Sequence, residues 1–489
     1  MSQVVKGRRS FLKASLAASI AAAVPVPVEA QTKSAATARS VKPNIILYMS
    51  DQFRADFIGA NGRNSSTRTT NLDRLALRGT NFAQAITNQP LCSPSRATLL
   101  TGRYATETGV WRLGLPMDRS LPTLAGELRN AGYSANCIGK WHLALEDPKV
   151  GGTSGPVKNP ADRGGFLDLW EVANAPENST QPYEGSFWDR NNQPISYKNE
   201  YRVDFLTDRA ERFLRQKHDR PFLLFISQLE PHPQNARINE PLGPVAPKGT
   251  AARFANPTVP NDVRAYPGTW QEYLPDYYGC VEAIDSSVGR IQRILEEEHL
   301  AENTIFVFLS DHGCHFETRN ISDKCSAHES SIRVPLVIDG PGFRNAQRIP
   351  ELVGLIDLAP TLLQAVDVPA PSTWKGRSLL PLLSSPEARE SWSNQQYIQI
   401  SGTMTGRAIR TADWTYCIAD LSGDISRPSA ETYHEYQLYD LRADPDQMIN
   451  LAGRQEYRTK SEELRKQLII LMAAAGEPEP HILPAKLYP

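Results

Sequence analysis

At 489 residues the chain exceeds the usual reach of one hydrophobic core, so a large domain with a smaller companion is expected. Lys plus Arg number 53 against 54 Asp plus Glu, and the net charge of -1 excludes the global field that would draw the protein to nucleic acid or an anionic membrane. An anionic substrate would have to be met by a local basic pocket.

The chain opens with Arg8-Arg9-Ser10-Phe11-Leu12-Lys13, then an apolar, Ala-rich stretch to about Val24 and small residues near Ala30. This is the pattern of a twin-arginine export signal over residues 1–30, and it implies a periplasmic or secreted protein. The apolar run is shorter than the roughly 20 residues a spanning helix needs. Next, Pro43 to Met49 reads as a buried strand ending in Ser50-Asp51-Gln52. The same grammar recurs: Tyr133 to Ile138 leads into Gly139-Lys140-Trp141-His142, Pro221 to Ser227 towards Glu230-Pro231-His232, and Thr304 to Leu309 into Ser310-Asp311-His312-Gly313. Helical patterns such as Leu121 to Ala131 and Tyr278 to His299 fall between them. The alternation predicts an α/β fold, a mostly parallel central sheet with helices on both faces, over residues 41–385. Ligands gather at the carboxyl ends of such strands, which is where these polar residues fall. Pro148 to Tyr197 and Pro231 to Pro267 read as irregular binding loops, with Tyr183 and Trp188 as aromatics that could stack on a sugar. Beyond Pro386, strands over Arg407 to Ala419 and Tyr436 to Leu441 and a helix over Glu456 to Ala474 predict a smaller C-terminal α+β domain, residues 390–489.

The stretch with the densest chemistry is Leu91 to Arg103, LCSPSRATLLTGR. Pro94 suits the first position of a short helix and Gly102 its end, which places Cys92 just ahead of the helix N-terminus, the end that favours anions. Arg96, one turn along, adds a cation with several donors for oxyanions. Of the six cysteines (92, 137, 280, 314, 325 and 417) none falls in a disulfide framework or a zinc-type pair.

The pattern C-x-P-S-R-x-x-x-L-T-G-R resembles the signature of the sulfatase family. Further resemblances follow in the family's order: PNIILYMSDQ, GYSANCIGKWHL, FLSDHG, KCSAHESSIRVPLVI and LYDLRADPDQMINLA. The resemblance implies an alkaline-phosphatase-like fold and a Cys92 that a formylglycine-generating enzyme converts to formylglycine, an aldehyde whose hydrate attacks the sulfate ester. It implies that Asp51, Gln52, Asp311, His312 and the modified Cys92 hold a divalent cation, calcium in most of the family. Arg96 would hold the hydrate, Lys140 and Lys324 would bind sulfate oxygens, His142 would take the proton from the hydrate's second hydroxyl, and His232 would assist the leaving oxygen. Gln52 and His312 depart from the commonest family pattern and match the phosphonate monoester and phosphodiester branch and some sulfatases, and the imidazole tilts the site towards manganese or zinc.

No G-x-G-x-x-G, Walker loop or G-x-S-x-G elbow is present, and His328-Glu329 lacks the second histidine of a zincin motif. The expected function is hydrolysis of a sulfated carbohydrate. The alternatives are a phosphonate or phosphodiester hydrolase, or a non-catalytic sulfated-glycan-binding protein should Cys92 stay unconverted.

Overall fold

The computed structural model describes residues 42–62, 64–234 and 243–488, so the expected export segment lies outside it. Its core is an eleven-stranded sheet. In chain order the strands are β1 (Asn44–Asp51), β2 (Thr80–Ile86), β3 (Ser134–Lys140), β4 (Trp170–Ala173), β5 (Glu184–Trp188), β6 (Pro194–Lys198), β7 (Phe222–Pro231), β8 (Thr304–Ser310), β9 (Arg333–Val334), β10 (Leu336–Asp339) and β11 (Gln347–Gly354). Their spatial order is β11-β2-β10-β8-β1-β7-β3-β4-β5-β6, with β9 on β2. The centre is parallel: β1 lies between β7 and β8, and β3 between β7 and β4. Antiparallel pairs flank it, β10 against β8 and the β5–β6 hairpin against β4.

Alternate residues of β1 enter opposite cores, as the two-residue period of a strand requires. Ile45, Leu47 and Met49 meet Leu99, Leu124, Leu128 and Leu362, from the helices Cys92–Thr101, Leu124–Asn130 and Leu358–Gln364. Ile46 and Tyr48 meet Leu72, Leu206 and Ile284, from Thr70–Arg78, Arg202–Leu214 and Trp270–Glu297. With helices on both faces, the sheet can present function only at its strand ends.

A second sheet of five strands follows: β12 (Gln395–Ile400), β13 (Gly406–Thr411), β14 (Trp414–Ala419), β15 (Thr432–Asp440) and β16 (His481–Leu483). Leu464, Leu468 and Met472 of the Arg458–Ala474 helix cover one of its faces. On the other, Ile398, Ile400, Ala408 and Cys417 pack with Ile86, Ala327, Ile332 and Leu352 of the large sheet's side.

Three expectations need correction. The stretch from Pro148 to Tyr197 is not irregular, since it holds β4, β5 and most of β6. The last two form a hairpin at the sheet's edge in which only Phe187 and Tyr197 are buried, so they lack the apolar run that marks a buried strand. Residues 407 to 419 form two strands joined at Ala412-Asp413. The long helix begins at Trp270, eight residues before Tyr278, and carries Pro275 in its interior, where a proline usually marks a break.

Candidate active site

The carboxyl ends of β1, β3, β7 and β8 converge on the N-terminus of the Cys92–Thr101 helix. Leu91, extended at φ -155, caps that helix, and Gly102 ends it in the left-handed region at φ 58. Pro94 is its third residue, where no intrahelical N–H is missed, so the helix starts two residues earlier than the proline suggested. All ten residues of the helix are buried, which fixes Cys92 and Arg96 rigidly against the strand ends.

Asp51, Cys92, Asp311 and His312 each offer a donor atom, and the four lie within 4.8 Å of one another, all buried. Cys92 Sγ is 3.2 Å from His312 Nε2 and 3.7 Å from Asp51 Oδ1. His312 Nδ1 sits 2.9 Å from the Gly313 carbonyl. A carbonyl only accepts, so Nδ1 carries the hydrogen and the Nε2 lone pair faces the cluster. Burial also depresses the imidazole pKa, with Lys324 adding to this, and keeps the ring in its metal-ligating neutral form. Two carboxylates, a neutral imidazole and the group at position 92 are a donor set that fits a divalent cation. Gln52 is turned differently: its amide oxygen accepts from Lys324 Nζ at 2.8 Å and its Nε2 donates to Cys314 Sγ at 3.4 Å.

Cations surround this cluster. Arg96 donates to Asp51 Oδ2 (3.0 Å), Asp311 Oδ2 (3.2 Å), Ser227 Oγ (2.7 Å) and the Lys140 carbonyl (3.2 Å), which leaves its planar fork no freedom to turn. Lys140 Nζ, at the end of β3, lies 2.8 Å from Asp51 and 2.6 Å from Glu177 Oε1. Lys324 Nζ contacts Cys92 Sγ at 3.3 Å and His232 Nε2 at 2.8 Å. Burial opposes the charge of both lysines, but Asp51 and Cys92 more than offset it and hold both pKa values above the ordinary lysine range. Burial, followed by Lys324, pushes His232 well below the ordinary imidazole range. Its Nδ1 faces the Pro233 carbonyl at 2.7 Å, so neutral His232 accepts its hydrogen bond from Lys324.

His142 has Nε2 at 3.4 Å from Glu146 and Nδ1 at 3.5 Å from Glu177. Burial and Lys140 lower its pKa, but Glu177, Cys92 and Glu146 together raise it to about 9. Gln52 (φ 66), His142 (φ 62) and Cys325 (φ 63) all occupy the left-handed region that non-glycine residues avoid. Such strain persists only where the surroundings over-determine it; Gln52 and His142 carry their side chains into the site, and Cys325 directly follows Lys324.

Every site residue expected from sequence therefore lies in one cluster. Glu177 and Ser227 were missed. Glu177 sits in a four-residue helix within the supposed loop, where no local pattern marks it, and Ser227 lies inside β7, which runs on to Pro231. Tyr183 and Trp188 are not a free stacking surface: Tyr183 packs 5.4 Å from the Tyr201 ring, and both rest partly buried on the second core. All six cysteines are unpaired and buried.

The sulfatase family model matches residues 43–368, across every one of these elements. The chain belongs to the sulfatase family. This sulfatase also matches, over residues 318–474, the model of the N-sulphoglucosamine sulphohydrolase C-terminal region. It is 28% identical over 449 residues to an ulvan-active sulfatase of Formosa agariphila, covering 89% of this chain and 82% of that one. An N-acetylglucosamine-6-O-sulfatase of Bacteroides thetaiotaomicron is 26% identical, covering 95% of this chain and 91% of the relative. A solved structure in complex with its substrate D-glucosamine-2-N,6-O-disulfate superposes with a TM-score of 0.71 at 25% identity, covering 90% of this chain and 99% of that one.

Proposed function

We propose that this sulfatase hydrolyses a sulfate ester of a carbohydrate, using a formylglycine made from Cys92 and a divalent cation, calcium or manganese, held by Asp51, Asp311, His312 and residue 92. The observation that carries the reading is the position of Cys92 Sγ, in contact with His312 and Lys324 at a helix N-terminus backed by Arg96. The carbohydrate is supported by the relatives, which act on ulvan and on N-acetylglucosamine-6-O-sulfate by name. Export to the periplasm or beyond is supported by the Arg8-Arg9 leader, and maturation would call on a formylglycine-generating enzyme of the same cell.

Formylglycine would supply, once hydrated, a carbon bearing two hydroxyls, one to attack sulfur and one to release it, and the cation would add Lewis-acid charge stabilisation. The chain's own residues do the rest. Arg96 pins both aspartates, so the anionic donors stay fixed while charge moves on the substrate. An ammonium has three N–H donors, and Asp51 and Glu177 take two of Lys140's, leaving one for a sulfate oxygen. Lys324 carries a proton beside residue 92 that it can give directly to the departing alkoxide, and neutral His232, which accepts from it at 2.8 Å, holds that ammonium in place. His142, set between two carboxylates, exchanges a proton at residue 92.

Gln52 and His312 favour a second reading, a phosphonate monoester or phosphodiester hydrolase using the same site. Comparison of kcat/KM on a sulfated monosaccharide and on a matched phosphodiester decides between them: preference for the sulfate ester is expected, and preference for the phosphorus ester would install the second reading.

A further inference from the structure

Glu177 stands out among the buried groups beside the proposed reaction centre. Its Oε1 holds Lys140 Nζ at 2.6 Å and lies 3.5 Å from His142 Nδ1, while Oε2 is buried without a hydrogen-bond partner. A buried carboxylate with an unsatisfied oxygen is costly, and it adds negative charge where an anion must bind. Burial opposes its ionisation, but Lys140, His142 and His232 outweigh this and keep it charged well below the ordinary carboxylate range. All three of those cationic or titratable groups belong to the reaction centre. Asp51 alone would draw Lys140 towards the cation-binding donors, and Glu177 pulls it from another side, so the ammonium rests between two carboxylates at 2.8 and 2.6 Å.

We propose that Glu177 is a positioning residue of the sulfatase reaction, holding Lys140 and His142 in their reactive placement while weakening ground-state binding of the sulfate group. The inference rests on the proposed function and deepens it. Binding and turnover should then part company when the charge is removed, because repulsion of the ground-state anion is relieved while alignment is lost. A purely structural residue would harm both together.

The test is Glu177→Gln beside Glu177→Asp, each checked for a native melting curve, with kcat on a sulfated monosaccharide and calorimetric affinity for inorganic sulfate. For Glu177→Gln, kcat should fall about 30-fold or more, the scale of a misplaced catalytic group. Its affinity for inorganic sulfate should rise about 3- to 10-fold, since one negative charge has left the site. Glu177→Asp keeps the charge and shortens the reach, so sulfate affinity should stay within about twofold of wild type while kcat falls. A kcat within about threefold of wild type, or sulfate affinity that is unchanged or weaker in Glu177→Gln, overturns the proposal. Should Glu177→Gln fail to fold, Glu177→Asp decides alone: lowered kcat at unchanged sulfate affinity supports it, and unchanged kcat overturns it. Should wild type turn over no sulfate ester, the proposed reaction fails, and the sulfate titration of Glu177→Gln still decides the role of the carboxylate.

Discussion

Arg96 shows how a single side chain can carry both stability and chemistry. It is fully buried and binds both aspartates of the candidate metal cluster, so removing it leaves Asp311 without its cation and Asp51 with Lys140 alone. Breaking a buried pair in this way costs about 3–5 kcal/mol, so Arg96→Ala should melt well below wild type in thermal denaturation, and adding metal should recover only part of the loss. The metal donors themselves are unequal. Asp311→Ala removes a charged ligand and should abolish metal retention after dialysis, measured by elemental analysis, whereas Gln52→Ala should retain metal while loosening Lys324, because the Gln52 amide is spent on that lysine. His142 yields a pH prediction for the metal-free protein. Its pKa, about 9 in the fold, lies above the ordinary 6.5, so the stabilisation is complete below about pH 6.5 and fades as pH rises through 9. The urea midpoint should decline across that window in wild type, and the decline should shrink in His142→Gln.

The elements that present these residues were visible in sequence because each buried strand is a short apolar run closed by polar residues, and the parallel centre of the sheet follows from that alternation. Glu184 to Trp188 and Pro194 to Lys198 were invisible because an edge hairpin buries too little to need an apolar run. The clustering of Asp51, Cys92, Lys140, His232, Asp311 and Lys324 was legible as a motif series. The partners that fix their orientation were not, since Glu177 and Ser227 meet them only through the sheet's strand order. One position makes the dependence on strand packing explicit. Gly139, at φ 104 beside Lys140, has so little room that a Cβ would sit 2.0 Å from the Ser227 carbonyl oxygen of β7. Gly139→Ala must therefore part β3 from β7 as well as strain the backbone, at a cost of about 3 kcal/mol or more. It should lower activity by displacing Lys140, and a variant that kept both its melting temperature and its kcat would show that β3 is not held as tightly as described.

At the scale of the molecule, the small sheet is part of the site's support rather than an appendage. Ile398 and Ile400 share an apolar cluster with Ile86 and Ile332, and Gly402 lies so near that a Cβ there would be 3.0 Å from Cys325 Sγ, next to Lys324. Ile400→Ala should cost about 2–5 kcal/mol and should lower the stability of both sheets together, seen as one shifted calorimetric transition rather than early loss of the smaller part.

The central claim is that chemistry at residue 92 depends on conversion of its thiol. The most direct measurement is the mass of the tryptic peptide Gly79 to Arg96 in protein from a host that makes formylglycine, set beside the sulfatase activity of the same preparation. A carbonyl in place of the thiol, with turnover rising in proportion to the converted fraction, is the predicted result. Full turnover of a sulfated saccharide by protein whose Cys92 is wholly an unmodified thiol would contradict the account.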